Sequence, residues 1–447
     1  LIKESKAKSI QSILNSTILR GLFTFCLYTI IPNFASAQAT NELSIEQCMD
    51  LARQNNPDYQ QALLKEKIAG NNLQQSLNNY LPSVNAYGRR VYNWGLFIDP
   101  ATNILSNFNS QVYTGSLIAE VDLFNGGLYH YTVQQNKALR QSAAMDAQAV
   151  LYNLSLNVIQ YYYQALMAQE VIVIAQRQLA QSQKLYTAVK KQIDAGLMTT
   201  RDLLNMESQV SQKETDLFQS ETQLKQAYNN LKQLLNISSN EPIKLKTVSL
   251  NSLQIQPNIL DSNFNLPQLK SLEFQLLAAD QSIEMAAAAK YPVLSLSAGL
   301  TTRSSNLIQL ELGQQFSNNL SKTIAFSLRV PLFNKFQNDM NIRNAQLNKQ
   351  LLALQVKSFK NQQYNKQRNL VLDVENDRKN LDNLAKQQNY LDKELAFAEK
   401  SFQLGTSTYN EYFQVQTRNQ NVQIDRLKAQ INLQYKLLLF DTYQGSK

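Results

Sequence analysis

The sequence predicts a mainly α protein carrying four amphipathic β-strands and assembled from two tandem copies of one unit. Three observations lead there. The chain repeats its own landmarks at an offset near 210: Pro57 with Pro267, Pro82 with Pro292, Val121-Asp-Leu-Phe-Asn125 with Val330-Pro-Leu-Phe-Asn334, and Gly196…Asp202 with Gly405…Glu411. Between those landmarks apolar residues recur at alternating spacings of four and three over long stretches. Shorter stretches alternate apolar and polar residues.

Each unit reads as a first helix, two strands, a very long helix, a Gly-marked turn and a return helix. Repeat 1 covers 38–250, with a helix over 44–79, strands at 83–97 and 112–124, a long helix over 127–192 and a return helix over 200–236. A polar segment, 251–265, links it to repeat 2, 266–447. There a helix spans 266–290, strands fall at 293–303 and 322–333, the long helix spans 336–402 and the return helix 408–440. In the first long helix Leu154, Val158, Tyr161, Ala165, Ala168, Ile172, Ala175, Leu179, Ser182, Tyr186 and Val189 keep the four-three spacing without a slip. Leu381, Leu384, Gln388, Leu391, Leu395, Ala398 and Phe402 do so in the second. Sustained 3.5-residue periodicity is the mark of coiled-coil packing. Such a helix runs about 100 Å at 1.5 Å per residue, too long for a compact globule. Scarce turn formers, 12 Gly and 9 Pro in 447 residues, agree with long uninterrupted elements.

In the strands Ile324, Phe326, Leu328, Val330 and Leu332 alternate with Ala325, Ser327, Arg329 and Pro331, and Leu117, Ala119, Val121 and Leu123 alternate with Ser116, Glu120 and Asp122. About ten residues of such alternation suit a barrel strand with lipid on one side and water on the other. A half-buried soluble sheet gives the same pattern. Tyr92 and Trp94 suit an interfacial aromatic girdle. Four strands cannot close a transmembrane β-barrel, whose minimum is about eight, so a spanning chain must oligomerise. Three copies give a twelve-stranded trimer; two or four copies satisfy the same argument.

At the N-terminus, 1–37 reads as a signal peptide, with Lys3, Lys6, Lys8 and Arg20, an apolar run from Gly21 to Phe34, and Ala35-Ser36-Ala37 as cleavage site. Cys26 lies inside it, which leaves Cys48 alone and reads as a small buried helix residue. Beyond Ala37 no run approaches 18 apolar residues, so a membrane would be crossed by strands.

The net charge of +9 comes from Lys and Arg scattered among acids, with no nucleic-acid motif, so no nucleic-acid partner is expected. His130 is the only histidine and there is no phosphate-binding Gly-rich motif. No enzyme activity, metal or cofactor is expected.

LSIEQCMDLARQNNP, the duplicated strand–strand–long-helix plan, QIDAGLMTTRDLL and SFQLGTSTYNEYF together resemble the TolC-like outer membrane efflux proteins. The resemblance covers nearly all of the mature sequence. It implies a homotrimer in outer-membrane lipid with a helical periplasmic tunnel and an equatorial belt built partly from the linker. It also implies a passive exit duct for an inner-membrane transporter, joined by a periplasmic adaptor (a membrane fusion protein). A free periplasmic coiled-coil adaptor or a secreted structural rod is the alternative. Carried over by motif, the adaptor-contacting tip is Gly196, Leu197, Met198 and Thr199 with Gly405, Thr406, Ser407 and Thr408. The family's pore can be narrowed by two acidic rings, six and nine positions after the second glycine. Here these are Glu411 and Gln414, with Asp202 and Asn205 in repeat 1, so one ring lacks its charge. In a symmetric trimer, inward Glu411 carboxylates would raise each other's pKa and attract cations. Asp202 and Glu411 also suit a second role, favouring the starts of their helices.

Overall fold

The computed structural model describes residues 42–98, 103–107, 109–196, 198–246 and 266–443. The signal peptide with Cys26, the linker 251–265 and Leu197 lie outside the described residues.

The elements run β1 (Glu42–Leu43), α1 (Ile45–Asn55), α2 (Pro57–Asn78), β2 (Ser83–Asn93), β3 (Phe97–Ile98), β4 (Leu105–Ser106), β5 (Ser110–Phe124), α3 (Leu128–Asp194), α4 (Thr200–Leu235), β6 (Lys244–Leu245), α5 (Pro267–Ala288), β7 (Val293–Ser305), α6 (Leu312–Asn318), β8 (Ser321–Arg329), α7 (Gln337–Gln403) and α8 (Tyr409–Tyr443). The described residues form two units. The small one, 42–43 with 242–244, holds an exposed ion pair, Lys244 Nζ to Glu42 Oε1 at 2.7 Å. The large one contains both repeats.

In the large unit β2, β5, β7 and β8 form one antiparallel sheet in that order, so the strand pairs of the two repeats lie side by side. Its register puts Arg89 opposite Thr114 and Thr114 opposite Arg303. Leu117 faces Leu300, and Ala298 faces Ile324. Every apolar side chain named above on β8 therefore shares a face with Leu117, Ala119, Leu296 and Ala298. Glu120, Asp122, Ser295, Ser297 and Ser327 lie on the other.

The helices follow the four-three rows. The row from Leu154 to Val189 in α3 is buried or half-buried throughout, as is the row from Leu381 to Phe402 in α7. Both helices have 67 residues. Tyr162 is fully buried and its hydroxyl donates to the Lys246 carbonyl at 2.7 Å. Tyr163 packs its ring against Tyr435. The Tyr161–Tyr163 cluster thus serves packing.

Three sequence expectations need correction. The helix expected over 44–79 breaks at Asn56, which ends α1 and starts α2. Pro57 forbids helical geometry at the residue before it while suiting a first turn. The Asn56 side chain then caps α2 by accepting from Asp58 N at 3.0 Å and Tyr59 N at 3.3 Å. The strand expected to reach 333 stops at Arg329, because Pro331 has no N–H to give a ladder. The strand expected to reach 97 stops at Asn93, and Gly95 (φ 98°) turns the chain into the short β3–β4 hairpin.

The corner from sheet to long helix is also duplicated. Gly126 and Gly127 (φ 67° and 85°) start α3; Lys335 and Phe336 (φ 56° and 61°) stand at the same places before α7. Glycine is required in repeat 1, where a Cβ on Gly126 would sit 2.7 Å from the Ala288 carbonyl oxygen.

Candidate functional site

Two places in the large unit expose unusual chemistry: the turns joining the long helices to their return helices, and the free edges of the sheet and helix layer.

The α3–α4 and α7–α8 turns share a frame. Gly196 (φ 76°) and Gly405 (φ 72°) take the left-handed conformation that ends a helix, with open space around both. The second turn is a full Schellman motif: Gly405 N donates to Phe402 O at 3.1 Å and Thr406 N to Ser401 O at 2.9 Å. In the first, Gly196 N donates to Ile193 O at 2.8 Å. Each return helix then opens on a threonine. Thr408 N donates to Glu411 Oε2 at 2.9 Å while Glu411 N donates to Thr408 Oγ1 at 3.3 Å, a reciprocal capping box. Thr199 donates its N–H (3.1 Å) and its hydroxyl (2.6 Å) to Asp202 Oδ2.

These contacts give the two carboxylates a local role. The Thr408 backbone N–H, then the Ser407 and Thr408 hydroxyls, hold the Glu411 carboxyl below its ordinary pKa. Within one chain this is the opposite of the upward shift expected from facing acids. Thr199, Thr406, Thr408, Asn205, Glu411 and Gln414 are exposed; Met198, Asp202 and Ser407 are half-buried.

The sequence analysis named Val189, Phe402 and Met198 but missed Met206, Tyr409, Tyr412 and Phe413, which join the two turns with them. Val189 and Met206 of repeat 1 pack around the buried Tyr409 of repeat 2, with Leu185, Ile193, Met198, Phe402, Tyr412 and Phe413 around them. Phe402 stacks on Tyr412 (5.5 Å, 13°) and Tyr409 on Phe413 (6.1 Å, 20°). The Tyr409 hydroxyl donates to Gln209 Oε1, and burial pushes its pKa up, keeping it neutral. The spacing of Tyr409, Tyr412 and Phe413, i, i+3 and i+4, is the signal that was available.

At the edges, β2 and β8 each have one side without a partner in the sheet. Ile324, Phe326 and Leu328 are 74%, 69% and 65% exposed on one face of β8. The helix layer ends in the same way. Met340, Leu347, Leu351 and Leu354 form an exposed four-three row on α7, and Tyr390 and Phe397 continue outward-facing apolar surface further along. Leu64 and Ile68 on α2 and Leu204 and Phe218 on α4 are exposed too. Among the described residues no group of side chains could hold a metal, and no helix is long and apolar enough to cross a membrane.

Known proteins share this architecture. The probable outer membrane lipoprotein SilC of Salmonella typhimurium is 27% identical over 308 residues, 67% of this chain and 63% of that protein. The cation efflux system protein CusC of Escherichia coli (strain K12) is 28% identical over 304 residues, 66% and 63%. The matches thus span a little under two thirds of these relatives' length. Among solved structures, CusC superposes with a TM-score of 0.78 at 21% identity over 90% of this chain and 92% of that one. The CmeC outer membrane channel of Campylobacter jejuni gives 0.78 at 16% over 90% and 85%. At such identities these structures establish the fold alone. A family model for outer membrane efflux proteins matches residues 48–236 in repeat 1 and 261–439, from the end of the linker through most of repeat 2. The chain belongs to the outer membrane efflux protein family.

Proposed function

We propose that this chain is one third of an exit duct. Three copies close a twelve-stranded barrel in the bacterial outer membrane and continue it as a helical tunnel into the periplasm. The duct is passive, without a catalytic step, and serves an inner-membrane transporter through a periplasmic adaptor.

The observation that carries this reading is the sheet with two open edges and one apolar face. The nine residues of β8 would leave roughly nine outward backbone groups unpaired, at several kcal/mol each in hydrocarbon. That exceeds the whole stability of an ordinary domain, about 5–15 kcal/mol, so the edge enters lipid only when paired. Pairing β8 with β2 of another copy removes the cost. The exposed rows of α7, α2 and α4 point to the same closure: each leucine buried there contributes about 1.5–3 kcal/mol.

The tip residues Gly196, Leu197, Met198, Thr199, Gly405, Thr406, Ser407 and Thr408 are proposed as the adaptor contact. Their support is the exposure of Gly196, Thr199, Gly405, Thr406 and Thr408, open space at both glycines and left-handed turns at the helix ends. Asp202, Asn205, Glu411 and Gln414 follow on the first turns of the return helices and are proposed to narrow the pore there. The caps on Asp202 and Glu411 make any such ring a secondary use of residues that already start helices.

Conductance in planar bilayers tests the duct. Detergent-purified protein is expected to give stable single-channel steps in KCl; absence of steps from correctly folded protein overturns the reading. For the tip, Gly405→Pro is expected to abolish pull-down of the cognate adaptor with the trimer intact, and unchanged pull-down would remove that assignment.

A further inference from the structure

The two faces of the sheet treat their arginines differently at the end remote from the long helices. On the apolar face the Arg90 side chain is engaged locally. Its guanidinium lies over the rings of Tyr92 (4.6 Å) and Tyr113 (5.0 Å) and donates to Gln111 Oε1 at 2.8 Å. On the polar face Arg89 and Arg303 flank Thr114 on a single rung, one on each neighbouring strand. Two strand spacings put their Cα atoms about 10 Å apart. Both side chains are exposed. Neither takes part in an ion pair among the described residues.

The carboxylates on that face of the described sheet are Glu120 and Asp122. They stand six and eight residues along β5 from Thr114, about 20 and 27 Å at 3.4 Å per residue. Asp122 is already engaged by the Ser295 hydroxyl at 2.6 Å. At physiological salt the screening length is about 8 Å, so these acids do not offset the arginines. The polar face of the described sheet therefore carries both signs next to the helices, where Glu120 and Asp122 share it with Arg329, and only positive charge at the far end.

We propose that Arg89 and Arg303 form an anion-binding ring at the outer mouth of the duct, taking multivalent anions that carry phosphate groups. The inference rests on the trimeric barrel proposed above. Two arginines per chain on one rung become six in three chains. Guanidinium groups match phosphate oxygens in two-pronged geometry. A low-dielectric wall around water focuses their field and raises the local anion concentration. The ring would hold such anions at the mouth and oppose their entry from outside.

Inorganic triphosphate, added to one side of a bilayer at a time, is the probe. In wild-type channels it is expected to block KCl current from the barrel side, and to release as salt rises. Arg89→Gln with Arg303→Gln should raise the half-blocking concentration roughly tenfold or more, whereas Lys322→Gln, on the apolar face, should leave it unchanged. Arg89→Glu with Arg303→Glu should exchange the preference, with block by a trivalent cation from the same side. The ring is overturned by equal block in wild type and the Gln double variant, by no block at all, or by loss of block in the Lys322 variant alone. Ordinary KCl conductance in each variant reports that the channel has assembled. Wild-type protein without conductance would sink the barrel reading itself, a different outcome from conductance without block.

Discussion

The two long helices have the same length and the same place in their repeats, yet they live in different surroundings. α3 packs principally against α1, α2, α4, α5 and α8; α7 packs against α5 and α8. Fifteen residues of α3 are buried against eight of α7, so the duplicated helix is a core element in one repeat and an edge in the other. The unmet surface of α7 carries a periodic apolar row, which is what a helix shows when its remaining neighbour is another chain. Duplication alone therefore did not produce two equal halves. It produced a centre and a rim, and the rim is where the proposed assembly would take place.

The comparison breaks most sharply with core changes in α3 set against surface changes in α7. Tyr162→Ala is expected to cost about 3–5 kcal/mol and to lower thermal unfolding steeply, read by circular dichroism. Leu347→Glu, Leu351→Glu and Leu354→Glu together should leave helix content unchanged and release single chains, read by sedimentation. If the triple variant unfolded like Tyr162→Ala, α7 would be a core element after all.

Glycines at the sheet corner of repeat 1 and at the tip turn of repeat 2 sharpen the contrast by smaller amounts. Gly126→Ala forces a Cβ against the Ala288 carbonyl oxygen on top of the left-handed strain. Gly405→Ala meets open space and carries only that strain, about 1–2 kcal/mol. Urea unfolding should rank Gly126→Ala as the more damaging, and the reverse order would contradict the corner geometry. Tyr409→Phe removes one hydrogen bond between the repeats and should cost about 1 kcal/mol in the same assay.

The smallest effect concerns pH. Glu411 has its pKa lowered in the folded chain by the Thr408 cap, so its contribution is full above its ordinary value of 4.5 and fades as pH falls through the lower folded value. Glu411→Gln should flatten stability against pH on that acidic side and lower it slightly at neutral pH, where the wild-type contribution is full. If facing Glu411 carboxylates instead dominate in the assembled trimer, the variant should stabilise the trimer near neutral pH.

Much of this was legible in the sequence, because it depends on local periodicity. The repeat offset, the four-three rows and the strand alternation need no knowledge of partners. The break at Asn56 is written in Pro57, which marks the repeat and a helix boundary at once. The end of β8 was visible in Pro331, but the apolar alternation runs on through Leu332 and masks it. What could not be read was rank. Leu154 in α3 and Leu391 in α7 sit in the same kind of row, and which helix is surrounded depends on how the repeats pack. Likewise Tyr409, Tyr412 and Phe413 announce an aromatic face, whereas its docking on Met206 and Val189 is a tertiary fact.

The account stands on α7, β2 and β8 being rims that further copies complete. Light scattering of the detergent-purified protein, corrected for bound detergent, tests this directly. Three chains per particle are expected for the wild type and one for the triple α7 variant. A wild-type particle of a single folded chain would contradict it.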